Sequence, residues 1–189
     1  MTLPILLTGL LAATTVQDRV FAKTDSLMPS VGVGLLDRHD LMLSPGIRLD
    51  VTHFFDESVG LDYLHGAAFF TRDTAGARSI RDTTGYVPDR GRPRALLSVG
   101  GRYALAYGKL LIEHSTLAVH CSFELSAHLG GLWTSAGLAP AGDIGAALRI
   151  SLARYLLVMI DYDLVLSVET ASGRTAVGNL PALLIGTAL

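Results

Sequence analysis

The chain has 189 residues and a formal net charge of −2, which predicts a single domain and excludes a large basic field for binding nucleic acid. One cysteine excludes an intrachain disulfide and a multi-cysteine zinc site, and a hydrophobic fraction of 50% with 17% charged residues excludes disorder. Beyond the first residues no run reaches the roughly 20 apolar residues of a membrane helix, which leaves a large soluble core or a β-barrel in lipid.

The first fifteen residues have the pattern of an export signal. Leu3 to Ala13 is apolar, and small residues follow it before the chain turns polar at Val16. The segment 1–15 is therefore predicted to be signal-peptide-like, although it is atypical because Met1 and Thr2 supply no basic charge. The alternative is an apolar strand or a buried helix. The remaining residues, 16–189, are predicted to form one domain.

Most of that domain alternates between apolar and polar residues. The clearest case is 117–129, where the odd-numbered residues are apolar and the even-numbered residues are small or polar. A helix is excluded there, because apolar residues at every second position would surround it. The same period predicts eight strands, at about residues 27–36, 43–52, 59–70, 97–105, 117–129, 144–152, 158–169 and 179–189.

The connections fall into two sets. One set is longer or more polar, at 37–40, 71–94, 133–143 and 170–178, and the other is mostly short, at 55–57, 107–115 and 153–155. Long extracellular loops, short periplasmic turns and an even strand count are typical of outer-membrane barrels. The predicted fold is thus all-β, an eight-stranded antiparallel up-and-down transmembrane β-barrel, in the outer membrane of a Gram-negative bacterium with both termini periplasmic.

The alternation of apolar and polar residues does not by itself show whether the apolar face lies on the outside or the inside of the barrel. A soluble periplasmic lipocalin-like carrier would bury the apolar face, so it stays open as an alternative. Small residues and charges of both signs on the polar face favour a crowded lumen, with its charge network formed by Arg48, Asp50, Arg102, Glu124, Arg149, Asp161 and Asp163. Two interfacial girdles are predicted from the aromatics near strand ends, namely Phe54, Phe55, Phe69, Phe70, Tyr107, Trp133 and Tyr155.

Several short stretches resemble a known family. They are 16–21 (VQDRVF), the hairpin 51–61 (VTHFFDESVGL), the turn 107–109 (YGK) and the closing strand 179–184 (NLPALL). Over roughly 16–189 the chain resembles a family of outer-membrane β-barrel domain proteins best known from myxobacteria and related Gram-negative bacteria. The resemblance implies this fold and location, and it supplies no catalytic residues.

The histidines and serines of 117–129 carry the remaining candidate chemistry. The residue types of a hydrolase triad are present in His120, Ser122, Glu124, Ser126 and His128. Strand spacing separates alternate residues by about 6.6–7 Å, so a polar ladder is the preferred interpretation. Metal binding by His114, His120 and His128 matches no compact site. No catalytic, cofactor-binding or metal-binding residue is predicted, and no cofactor is expected.

The loop 71–94 is rich in arginine. Because arginine binds phosphate through two parallel hydrogen bonds, the loop is a candidate for contact with lipopolysaccharide, through Arg72, Arg78, Arg81, Arg90, Arg92 and Arg94. The alternative is a merely solvated loop. The function that we predict is structural or scaffolding in the cell envelope, without enzymatic activity or a general pore. The expected partner is outer-membrane lipid, with envelope proteins unidentified. A lipid A-modifying enzyme and a component of a larger envelope machine, such as a gliding apparatus, remain alternatives.

Overall fold

The computed structural model describes residues 23–38, 42–85, 91–111, 118–153, 155–169 and 173–189. The side chains of 109–111, 118 and 153 are not part of this description. The predicted signal segment, 1–15, and the stretch 16–21 lie outside the described residues. No helix in the described part of the chain is long and apolar enough to cross a membrane.

Nine strands and one helix make up the described chain. Their bounds are β1 Ser26–Asp37, β2 Met42–Phe54, β3 Val59–Phe69, β4 Arg72–Asp73, α1 Ala75–Thr84, β5 Pro93–Leu111, β6 Ala118–Thr134, β7 Gly137–Ala153, β8 Leu156–Glu169 and β9 Arg174–Gly186. The two-residue strand β4 pairs only with the start of β2.

The other eight strands close into a barrel. Each pairs antiparallel with its neighbours in the order β1, β9, β8, β7, β6, β5, β3 and β2, and a further pairing of β1 with β2 completes the ring. Closure leaves no long sheet edge to be protected. The predicted eight-stranded antiparallel up-and-down barrel is confirmed.

The two ends of the barrel differ. We call one the termini end, because Lys23 and Leu189 lie there, together with the connection 55–58 and the ends of β5 and β7. The other is the helix end, which carries α1, the connection 135–136 and the ends of β1, β3 and β8. The longest connection therefore lies at the end opposite the described termini.

Two predicted connections prove too long. Residues 133–143 were expected to be a loop, but β6 continues to Thr134 and β7 begins at Gly137, which leaves a two-residue turn. Gly137 allows this tight turn, because its φ of 126° favours glycine. The sequence after it does not read as a strand, because the inward residues Ala139 and Ala141 are small and give little contrast with their outward neighbours. The connection 107–115 is likewise shortened, because β5 extends to Leu111 and β6 begins at Ala118.

The barrel is apolar outside and polar inside. Outward side chains such as Ile47, Val99 and Ile160 are more than half exposed. Inward side chains such as Arg48 and Asp163 are fully buried. This arrangement reverses that of a soluble globular protein, and it is the opposite of what the lipocalin-like alternative required.

Apolar side chains are buried near both ends of the barrel. A cluster near the helix end contains nine residues: Leu36, Ala67, Phe69, Leu96, Leu132, Ala139, Ala141, Val165 and Leu180. A smaller cluster at the termini end contains Met28, Phe54 and Leu157. Most of the buried charges lie between these two clusters, whereas Arg38 pairs with Glu169 near the helix end.

Aromatic residues ring both ends, with three corrections to the predicted girdles. Phe55 and Tyr155 are exposed at the termini end, and Phe70 and Trp133 at the helix end. Phe54 and Phe69 instead point inward, because successive strand residues face opposite sides. Tyr107 contacts His120 and is only partly exposed. Four further aromatics that were not predicted for the girdles are also exposed on the outer face, namely Tyr63, Tyr103, Phe123 and Tyr162.

The seam between the first and last strands is interrupted. Gly34 of β1 pairs with Ala182 of β9 and Asp37 pairs with Asn179, but Leu35 and Leu36 have no partners across the seam. In this register Leu35 faces Pro181 on β9, and on its other side it pairs with Pro45 of β2. Proline has no amide proton to donate, so this point of the wall has fewer backbone hydrogen bonds.

Candidate functional site

The interior charges form one connected cluster around Arg48 and Arg102. Arg48 on β2 donates to Asp163 at 2.6 Å, to Asp161 at 2.7 Å and to Asp50 at 3.1 Å. Each of these side chains is at most 1% exposed. The charge-assisted hydrogen bonds offset part of the large cost of desolvating such ions.

Arg102 on β5 links that group to the next. Its Nε donates to Asp62 Oδ2 at 3.0 Å, and its Nη atoms lie 3.6 Å from Glu124 and 3.7 Å from Asp161. Asp62 also accepts from Thr52 Oγ1 at 2.5 Å. Arg102 therefore has three buried carboxylates around it.

Nearer the termini end, Glu124 holds two cations. Arg149 donates to its Oε2 at 3.0 Å, and Lys23 donates to its Oε1 at 2.6 Å. Lys23 precedes β1 and reaches into the barrel over the ring of Phe54. Burial lowers the pKa of Lys23, and the facing Glu124 carboxylate opposes that effect.

Four members of this cluster were not predicted, namely Lys23, Asp62, His65 and Asp143. Asp62 and His65 are three residues apart, so strict alternation would put one of them outside. A register shift between them turns both inward. Asp143 fell in the predicted loop 133–143, and Lys23 lies before the first strand. The seven residues that were predicted for the network all lie buried in the interior.

The polar ladder of β6 does not form a triad in the described residues. Ser122 donates to Glu124 at 2.8 Å, His120 contacts the Tyr107 hydroxyl, and His128 contacts Asp143 and Asp62. Neither His120 nor His128 has a hydrogen bond to a serine among the hydrogen bonds of the described residues. The adjacent cavity of about 30 Å³ has room for only a few water molecules.

The two described histidines of the metal hypothesis, His120 and His128, have different surroundings. His114 lies outside the described residues, and His120 and His128 contact different partners. His128 instead stacks on His65, with ring centroids 4.1 Å apart. Cys121 is half-buried, and its thiol contacts the Gly108 carbonyl.

The arginine-rich connection contains a short helix, α1. Thr74 caps its start by accepting from the Ala77 amide, and Gly85 ends it with a φ of 68°. Arg81 and Arg92 both pair with Asp73, and the hydrogen bond from Arg81 holds the pKa of Asp73 below its ordinary value. Arg72, Arg78 and Arg94 are exposed, and Arg90 lies outside the described residues.

Comparison with known proteins yields similar structures only. No family model and no curated protein matches the chain. The attachment invasion locus protein Ail of Yersinia pestis is similar, with a TM-score of 0.43, 11% identity, and coverage of 88% of this chain and 99% of that chain. The structure of Ail in complex with the heparin analogue sucrose octasulfate has a TM-score of 0.44 and 14% identity, with the same coverage of both chains. Neisserial surface protein A (NspA) has a TM-score of 0.43 and 7% identity, with coverage of 87% of this chain and 95% of that chain. The family resemblance stays a prediction.

Proposed function

We propose that this protein is a small outer-membrane β-barrel with a structural or scaffolding role in the cell envelope. The observation that carries the proposal is the reversed polarity of the barrel. Exposed aliphatic side chains cover the outside, while arginines and carboxylates are fully buried. Only an apolar solvent favours that arrangement, and closed barrels are the β-structures that span membranes.

The extent of the apolar surface supports a span. On β2 the outward residues Leu43, Ile47 and Leu49 are exposed, and Val51 continues the row. From Leu43 to Val51 is eight residues, about 27 Å along the strand. A strand tilted by about 40° then gives a band about 20 Å tall, near the 25 Å typical of outer-membrane barrels.

Membrane fractionation tests the location. We expect the protein to remain in washed outer membranes and to be released only by detergent. Recovery in the soluble periplasmic fraction after osmotic shock would overturn the proposal. A soluble periplasmic protein that is expressed in the same cells serves as the control for complete release.

The same proposal places the helix end at the cell surface and the termini in the periplasm. In a Cys121→Ala background, a cysteine at Thr84 of α1 should react with a membrane-impermeant thiol reagent in intact cells. A cysteine at Tyr155, exposed at the termini end, should react only after the outer membrane is permeabilised. The reverse result would invert the topology.

The side chains inside the barrel favour a scaffold rather than a pore or an enzyme. Nine apolar side chains are buried near the helix end, and the polar side chains of β6 form ion pairs and hydrogen bonds with acidic residues and with Tyr107. The lipid A-modifying alternative predicts that deleting the protein changes the mass spectrum of lipid A. The scaffold proposal predicts an unchanged spectrum.

Lipopolysaccharide is the partner that we propose for the arginine-rich connection. Four described arginines of the connection, and Arg94 at the start of β5, accompany only two described acids, Asp73 and Asp82. Arg72, Arg78 and Arg94 are exposed. We expect Arg72→Gln with Arg78→Gln to weaken binding of the purified barrel to lipopolysaccharide micelles. Equal binding of wild type to lipopolysaccharide and to its dephosphorylated form would overturn the phosphate contact.

A further inference from the structure

The described interior carries more carboxylates than fixed cations. Six buried acids, Asp50, Asp62, Glu124, Asp143, Asp161 and Asp163, accompany four buried bases of the same cluster, Lys23, Arg48, Arg102 and Arg149. A fifth buried base, Arg38, is paired with Glu169 near the helix end and lies outside this cluster. Two negative charges are therefore uncompensated by arginine or lysine in this part of the chain. Uncompensated buried charge is strongly destabilising, so the excess must be balanced there either by a bound cation or by protons.

The excess lies beside a pair of histidines. His65 on β3 and His128 on β6 stack inside the barrel, and Asp143 on β7 contacts His128 Nδ1. His65 Nε2 lies 3.9 Å from Asp143 Oδ1 and 3.8 Å from Asp163 Oδ2. One ligand atom from each of His65, His128 and Asp143 falls within 4.8 Å of the others.

One atom at the centre of this group lacks a partner. His65 Nε2 makes no hydrogen bond, although the side chain is only 1% exposed. If this nitrogen carried the proton, it would be a buried donor without an acceptor. If it carries the lone pair, it is an unused ligand aimed between two carboxylates.

The far nitrogens of both rings face carboxylates. His65 Nδ1 lies 3.3 Å from Asp50 Oδ1, and His128 Nε2 lies 2.7 Å from Asp62 Oδ2. Metal-binding histidines commonly donate their second ring N–H to a carboxylate, which turns the other nitrogen toward the ion. Arg48 Nη2 also lies 3.1 Å from His65 Nδ1. Because an arginine N–H can only donate, metal binding at Nε2 requires Nδ1–H to donate to Asp50 and the hydrogen bond from Arg48 to be given up.

We propose that His65, His128 and Asp143, with Asp163 as fourth ligand, form a buried structural site for a divalent transition-metal ion. The two positive charges of the ion would balance the two carboxylates of the cluster that have no arginine or lysine to compensate them. A nitrogen and oxygen ligand set suits Zn²⁺, whose tetrahedral ligands at about 2.0–2.2 Å would be about 3.3 Å from one another. The pairs at 3.8 and 3.9 Å must close by roughly half an ångström, and the stacked rings must turn apart.

The apolar clusters near both ends predict how such a site is loaded. His65, His128 and Asp143 are at most 3% exposed, so the ion enters while the barrel folds and leaves slowly afterwards. Metal content should therefore survive chelation of the folded protein. The site is independent of the proposed location in the outer membrane, since it depends only on the barrel interior.

The test is refolding from denaturant into detergent micelles with ZnCl₂, followed by chelator, gel filtration and elemental analysis. We expect about one zinc per folded wild-type chain and at least a tenfold loss in His65→Asn and Asp143→Asn. His53→Asn, on the outward face of β2, is the matched control and should retain the zinc. A heat-modifiability gel confirms folding of each variant.

A second measurement covers the case in which the variants do not fold. Wild type refolded with Co²⁺ should show the intense visible absorption of tetrahedral cobalt with nitrogen ligands. Wild type without tightly held zinc or without this spectrum would overturn the proposal, and protons on the histidines would then balance the interior charge. Equal zinc retention in folded His65→Asn would overturn it as well.

Discussion

At the scale of single residues, Arg102 is one of two interior arginines that lie among three buried carboxylates, the other being Arg48. Arg102 lies against Asp62, Glu124 and Asp161, all fully or almost fully buried. Removing one partner of a dry ion pair costs about 3–5 kcal/mol, because the remaining charge stays buried without compensation. We predict that Arg102→Met lowers the temperature at which the folded band is lost in a heat-modifiability gel.

Two other arginines provide the comparison. Arg149→Met should have a smaller effect than Arg102→Met, since Lys23 still neutralises Glu124. Arg78→Met on the exposed helix should stay within about 0.5 kcal/mol of wild type. If all three variants lose the folded band at the wild-type temperature, the interior ion pairs contribute nothing to stability.

Adjacent glycines on β5 give a second residue-scale prediction. A methyl group on Gly100 would lie 2.0 Å from the Ala127 carbonyl oxygen, whereas a methyl on Gly101 would meet nothing closer than 4.0 Å. Gly100→Ala should therefore destabilise the barrel by about 1–3 kcal/mol through overpacking, and Gly101→Ala should be nearly neutral. Urea unfolding in detergent measures both, and equal midpoints would contradict the strand pairing.

At the scale of the strand, the position of a residue along the outward face of β7 determines how much an arginine substitution there should destabilise the barrel in lipid. Ile144 and Leu138 both point outward and are at least half exposed, but Ile144 lies near the middle of the strand and Leu138 near its helix end. Ile144→Arg should cost about 2–4 kcal/mol in lipid, and Leu138→Arg about 0–1 kcal/mol. Folding equilibria in phospholipid vesicles measure the two costs. Equal costs would place the membrane elsewhere on β7.

The same strands show what alternation can predict. Strands such as β6 and β8 alternate cleanly, so their existence, facing and buried charges follow from the sequence. Alternation fails where a register shift intervenes, as between Asp62 and His65, and where small residues fill both faces, as at the start of β7. It also carries no information across strands, so the pairing of Arg48 with Asp161 and Asp163, 113 and 115 residues away, required the structure.

At the scale of the whole molecule, the packing of the interior leads to a prediction about permeability. Buried apolar clusters lie near both ends of the barrel, and buried ion pairs lie between them. We predict no sustained ionic conductance when the refolded protein is added to planar lipid bilayers. A general porin reconstituted in the same way is the positive control. Steady single-channel steps from this protein would mean that the lumen opens in a membrane.

The interrupted seam has a consequence for the order of assembly. β1 and β9 are the most distant strands in the chain, so their meeting carries the largest loop-closure entropy and comes last. The continuous rungs of that seam, Ser30–Gly34 against Ala182–Gly186, all lie toward the termini end, and two rungs are missing beside Pro181. We therefore expect β1 and β9 to pair from the termini end toward the helix end, so that the wall around Leu35 is the last part of the barrel to close.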